Sequence, residues 1–262
     1  MQLKKIMPAR KEKGYANYDS SQEEFNHDII YSLILTAQQS KGCLQLSDSD
    51  QKLLKTSEKT YRELILQNGK IGKTDFVLEP FEYKELLKID VSKHARYLVY
   101  RYKYKIFPLL NIQGDYPPCV QMEPASVCNF RCVMCYQIDK SFSSKSKGHM
   151  GMMTLDTFKE AIDELEGNVE AISLASRGEP LLNPKMGEML KYAGGKFLGL
   201  KMNTNASLLT EKKCHEILES GLNVLVFSAD AAEKVQYEKI RVNGKFEKVA
   251  NNVKMFSEIR EK

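Results

Sequence analysis

The hydrophobic positions along this chain change rhythm near residue 116. Before it, apolar residues recur at the three-and-four spacing of one helix face, and nothing alternates between strand and helix. After a polar stretch through Ser21, the pattern predicts helices over Glu23–Gln38, Ser47–Gln67 and Pro80–Leu87. The second of these has capping side chains in Ser47-Asp48-Ser49-Asp50 and a closing turn at Asn68-Gly69. From residue 117 onward, short apolar runs alternate with amphipathic stretches. Strands are predicted at Cys119–Glu123, Ala171–Ala175, Leu200–Thr204 and Val224–Ser228, and helices at Leu155–Glu166, Pro184–Ala193, Thr210–Ser220 and Phe246–Glu261. The expected organisation is therefore a mainly helical region, 1–116, followed by an α/β domain, 117–262. Four βα units imply a parallel sheet, whose ligands bind beyond the C-terminal ends of the strands.

The segment Ala95–Phe107 fits two readings. Tyr100, Tyr102 and Tyr104 alternate as in a strand, while the length suits a helix. Its tyrosines and basic residues suit either a partner surface or a packing face, and the packing face is the simpler expectation. The net charge of the 262 residues is +5, small and scattered, so nucleic acid is not an expected partner. No run approaches the ~20 apolar residues of a membrane span. No apolar leader follows the N-terminal lysines, so a cytoplasmic location is expected.

Three of the six cysteines fall within eight residues, in Cys128-Asn129-Phe130-Arg131-Cys132-Val133-Met134-Cys135. In a chain with no leader this reads as a metal or cluster site in a reducing compartment rather than a disulfide framework. Thiolates so spaced on one loop suit three irons of one cubane, with the fourth left open. Zinc is the competing reading, with His149 as a candidate fourth ligand, and three unrelated cysteines is another. Cys43, Cys119 and Cys214 lack metal spacing and read as small core residues.

The C-x3-C-x2-C loop after a first strand resembles the signature of radical S-adenosylmethionine (SAM) enzymes. Three further segments, each at the end of a predicted strand, strengthen that resemblance. Ser176-Arg177-Gly178-Glu179-Pro180 is similar to the family's Gly-Gly-Glu segment, with Arg177 where glycine is commoner. Met202-Asn203-Thr204-Asn205-Ala206 and Phe227-Ser228-Ala229-Asp230-Ala231 are similar to the segments that line its cofactor side, with Arg241 further along. The resemblance implies an oxygen-sensitive [4Fe–4S] cluster on Cys128, Cys132 and Cys135, whose open iron chelates SAM. It implies SAM contacts from Tyr136, Arg177, Gly178, Glu179, Pro180, Thr204, Asn205, Ser228, Asp230 and Arg241. Without it, these residues read as turns, helix caps and a surface ion pair.

The fold so implied is a partial (β/α)6 barrel, with four of six βα units, and neither a fifth-strand segment nor a C-terminal cysteine-rich domain is read. Truncation, or completion of the sheet by another chain, is the expectation that follows. The implied function is reductive cleavage of SAM to a 5′-deoxyadenosyl radical that modifies a peptide, protein or saccharide-linked substrate. A reductant such as flavodoxin or ferredoxin would supply the electron. The alternative is an iron–sulfur or SAM-binding module without turnover. The Lys- and Ser-rich loop Gln137–Met153 suits a mobile surface loop, or one that closes over an acidic group.

Overall fold

A computed structural model describes residues 26–67 and 71–262. The polar stretch through Ser21, the start of the first predicted helix and the Asn68-Gly69 turn lie outside the described residues. The chain divides into two compact units, one ending at Pro118 and the other running from Cys119 to Lys262.

The first unit is helical. Helix α1, His27–Gln39, is capped by Asn26, whose side chain accepts from the Asp28 N–H at 2.8 Å, and it buries Ile30, Ile34 and Ala37. That three-and-four spacing is the periodicity of one helix face. Helix α2, Lys41–Leu44, is a single turn that buries Cys43. Helix α3, Asp48–Gln67, buries Leu54 and Tyr61, and the Tyr61 hydroxyl accepts from the Leu78 N–H at 2.8 Å. Helix α4, Pro80–Leu86, starts with proline at a position that needs no N–H.

The ambiguous tyrosine-rich segment is helix α5, His94–Leu110. Helical burial outweighs the alternation of tyrosines: Ala95, Leu98, Tyr102 and Ile106 form one buried stripe. Arg101, on the same helix, pairs with buried Glu82, to which Lys105 also reaches at 3.2 Å. The rings of Tyr100 and Tyr104 flank the Arg101 guanidinium, 5.2 and 4.9 Å from it. The tyrosines thus pack around an ion pair.

In the second unit, strands β1 (Cys119–Met122), β2 (Ala171–Leu174), β3 (Gly199–Thr204) and β4 (Val224–Phe227) form a parallel sheet in the order β1-β2-β3-β4. The register places Met122 beside Leu174 and Leu174 beside Met202, so one face presents an unbroken apolar row. Helices α7 (Leu155–Leu165), α8 (Met186–Ala193), α9 (Glu211–Leu218) and α11 (Phe246–Arg260) cover that face with Phe158, Ile162, Met189, Leu190, Ile217, Val249 and Val253. Cys214 belongs to this core, and burial pushes its thiol up to about 11. The alternate positions Gln121, Ser173, Lys201 and Asn203 lie on the other, more polar face. Two α-helices of this unit go beyond the sequence prediction: the single turn α6, Lys140–Ser143, and helix α10, Lys234–Ile240, between β4 and α11.

Candidate active site

The four strands deliver their following loops to one end of the sheet, and backbone contacts lock those loops together. Gly178, just past β2, lies against the loop that leads into Cys128. A Cβ at this position would come within 1.8 Å of the Ala125 carbonyl oxygen and 2.6 Å of that of Val127. The next residue donates its backbone N–H to Val127 O at 2.9 Å. Glycine is required here by proximity rather than by dihedral angle.

The cysteine loop is clamped from the other side by the segment that follows α10. Arg131 N–H donates to Val242 O at 2.9 Å and Val133 N–H to Ile240 O at 3.0 Å. All three cysteines are free; Cys132 is buried and Cys128 and Cys135 are partly so. Each sulfur accepts an N–H: Cys128 Sγ from Phe130 N at 3.4 Å, Cys135 Sγ from Gln137 N at 3.5 Å, and Cys132 Sγ from Arg241 Nη1 at 3.8 Å. Burial raises the Cys128 thiol, and the charges of Glu179, Cys132 and Cys135 raise it further. Burial also raises the Cys132 thiol, against the opposing pull of Arg241.

Glu179 is the polar centre of the strand ends. It is 2% exposed. Its Oε1 accepts from Thr204 Oγ1 at 2.7 Å and from Leu181 N at 3.0 Å, and its Oε2 accepts from Asn205 N at 2.7 Å. Burial holds its carboxyl above the usual range, opposed by these hydrogen bonds. Pro180 opens the turn that follows and supplies no N–H to compete. Asn205 donates from Nδ2 to Asn129 Oδ1 at 3.0 Å, and Asn129 donates to Ser207 Oγ at 2.9 Å. The third strand's loop is thereby tied directly to the cysteine loop.

Arg177 points to Glu123. Its backbone N–H and its guanidinium both donate to that carboxylate, at 2.7 Å from N and 2.5 Å from Nη2. The guanidinium also lies 5.3 Å over the Phe142 ring, which meets Tyr136 edge-on at 5.2 Å and stacks on His149 at 5.7 Å. Among the described residues, no group of three or more His, Cys, Asp or Glu side chains is gathered for a single metal ion. In a cubane each thiolate serves a different iron, so the sulfurs need not converge on one point. Three free thiols with N–H donors on every sulfur fit that group.

Ser228 is held by its backbone N–H on Thr204 O at 2.9 Å. Asp230 has a left-handed backbone, φ 60°, and pairs with Arg241 Nη2. The resemblance implies a SAM contact from Arg241, and in the fold its guanidinium lies on Asp230 and the Cys132 sulfur. Sequence reasoning missed Glu123, Asn129, Gln137, Ser207 and Tyr237. Gln137 is 2% exposed and donates to Ser126 O at 2.6 Å and to Arg177 O at 2.8 Å. Its position two residues after the third cysteine was the only hint.

A parallel sheet with a three-cysteine loop after its first strand defines a class, and comparison identifies it. The radical SAM superfamily model matches residues 122–261. The chain belongs to the radical SAM superfamily, whose members are enzymes that bind a [4Fe–4S] cluster and SAM. It is similar to the tungsten-containing aldehyde ferredoxin oxidoreductase cofactor-modifying protein of Pyrococcus furiosus, with 29% identity over 44% of this chain and 31% of that one. It is also similar to the mycofactocin maturase MftC of Mycobacterium tuberculosis, with 29% identity over 51% of this chain and 32% of that one. The chain spans about a third of the length of these two relatives. Streptococcus suis SuiB, solved bound to precursor peptide SuiA, aligns over 87% of this chain and 47% of its own, with TM-score 0.48 and 16% identity. No helix among the described residues is long and apolar enough to cross a membrane.

Proposed function

We propose that Cys128, Cys132 and Cys135 hold a [4Fe–4S] cluster whose open iron takes SAM, and that the radical so generated modifies a peptide, protein or saccharide-linked substrate. The observation that carries the cluster assignment is that each of these three sulfurs accepts an N–H. Donors of this kind favour thiolates, the ligands of such clusters. Bound there and reduced, the cluster would supply the electron that splits SAM into methionine and a 5′-deoxyadenosyl radical.

The chain's own residues prepare that chemistry by holding the strand-end loops. Gly178 lets the second loop press against the first, which brings the 177–180 segment alongside the cysteines. Glu179 aligns that segment with Thr204 and Asn205 through its three hydrogen bonds, acting as a positioning residue. Asn205, Ser228 and Asp230 line the ends of β3 and β4, where the methionine and ribose portions of SAM would lie. Tyr136 sits at the rim, partly exposed, where an adenine could stack. The substrate class rests on the likeness of the Ser228-x-Asp230 and Arg241 pattern to peptide-modifying branches of the family, and MftC, a maturase, agrees with it. The electron would come from a small reductant such as flavodoxin or ferredoxin.

Anaerobic reconstitution with iron and sulfide, reduction with dithionite and addition of SAM tests this. Formation of 5′-deoxyadenosine is expected. Absence of iron binding overturns the cluster assignment. A bound cubane without 5′-deoxyadenosine favours binding without turnover. Cys128→Ala, Cys132→Ala and Cys135→Ala should each abolish iron retention, while Cys43→Ala and Cys214→Ala should retain it; equal loss in all five would overturn the ligand set.

A further inference from the structure

We propose that Tyr237 and Arg241 are a donor pair for the Cys132 sulfur, which stabilises the electron entering the cluster from that side. The inference rests on the cluster assignment above. Tyr237, on α10, is 1% exposed, yet its hydroxyl has no hydrogen-bond partner, and neither has Arg241 Nε. Both atoms belong to the segment that clamps the cysteine loop through Val242 and Ile240. The Tyr237 ring sits beside that loop: a Cβ on Gly244 would lie 3.1 Å from both the Tyr237 and the Phe130 rings. Edge-on contact with Phe246, at 5.6 Å, fixes the ring.

The charged groups that act on the hydroxyl are Arg241, Cys132, Asp230 and Glu238. Arg241 Nη2 pairs with Asp230 Oδ2, and Glu238 Oε1 receives the Phe246 N–H at 3.2 Å. Of these groups only Cys132 belongs to the proposed cluster, and Arg241, one helical turn from Tyr237, already places Nη1 on its sulfur at 3.8 Å. A buried donor left unpaired is costly, and a thiolate sharing the negative charge of a reduced cluster satisfies it. Donors to cluster sulfur favour the more negative, reduced state and so raise the reduction potential. Cys128 and Cys135 receive only backbone N–H groups, which makes Cys132 the side-chain-tuned corner.

Redox titration of the reconstituted full chain, followed by the spectrum of the reduced cluster, tests the pair. Tyr237→Phe should keep wild-type iron content and lower the ratio of reduced to oxidised cluster at a fixed potential by roughly three- to tenfold, tenfold being about 59 mV for a one-electron couple. Arg241→Gln should shift it further in the same direction. Tyr192→Phe, whose hydroxyl serves Asp163 on the helical face, should not shift it. In the cluster-free chain Tyr237→Phe should melt no lower than wild type, because the hydroxyl has no partner there. A wild-type potential in Tyr237→Phe overturns the inference, and so does failure of that variant to fold. A wild-type chain that binds no cubane overturns the cluster assignment, and this inference with it.

Discussion

Among the described residues two carboxylates are buried almost completely, one in each unit, and they are held in opposite ways. Glu82, in the helical unit, is 1% exposed and meets two cations, Arg101 and Lys105. Glu179, at the strand ends, is 2% exposed and is held by a hydroxyl and two backbone N–H groups. The first arrangement cancels charge locally, and its geometry serves helix packing. The second keeps the carboxylate in position with neutral dipoles, and its charge still reaches Cys128. The difference is between a group that pairs helices through charge and one that ties strand-end loops together through neutral donors.

Four substitutions separate the two regions. Gly178→Ala should cost the most, on the order of 5 kcal/mol, since no flexible side chain can yield to relieve the overlap with Ala125 O. Hydrogen exchange of the full chain should show lost protection around 123–136 and unchanged protection in the helical unit. Glu82→Ala should cost about 3–5 kcal/mol by stranding the Arg101 charge, with lost protection confined to α4 and α5.

Glu179→Gln should cost less, about 1–3 kcal/mol, because one amide oxygen cannot serve three donors. It also gives the sign of a pH effect. Burial raises the folded carboxyl above its unfolded value. Stability from this group is therefore fully present below the ordinary carboxylate range and lost as pH rises from that range through the raised folded value. The wild-type stability minus that of Glu179→Gln should fall with rising pH in that window; a rising difference would show that the hydrogen bonds outweigh desolvation. Arg177→Ala should cost about 1 kcal/mol or less, since its pair with Glu123 is partly exposed. Its clearer readout is increased exchange in the segment around Phe142.

The parts legible in the sequence were those written in short-range pattern. Cysteine spacing, the Gly178-Glu179-Pro180 turn and four apolar strands each occupy a few consecutive residues. Helix α5 was ambiguous because the tyrosines alternate locally, and only its burial against Phe76 and Glu82 decides the period. Helix α10 escaped notice because its seven residues bury only Tyr237 and leave no stripe to read. The link from Asn129 to Asn205 joins residues 76 apart, and no local signal encodes which amide will meet which. Arg241 was found as a candidate through the family resemblance of the Ser228–Asp230 segment, but its turn toward Cys132 depends on Asp230 and on the clamp at 240–242.

That clamp also sets an order of events during synthesis. The Val133–Ile240 and Arg131–Val242 hydrogen bonds join the cysteine loop to a segment translated well after it. On a ribosome adding about 5–20 residues per second, roughly 5–20 s pass between translation of the two partners. Through that interval the nascent cysteine loop lacks the backbone grip of 240–242 and the Arg241 donor. Three thiols that wait unclamped are open to oxidation or to a scavenged ion. The proposed cluster is therefore expected to load stably only after α10 and residues 240–242 have emerged to grip the loop.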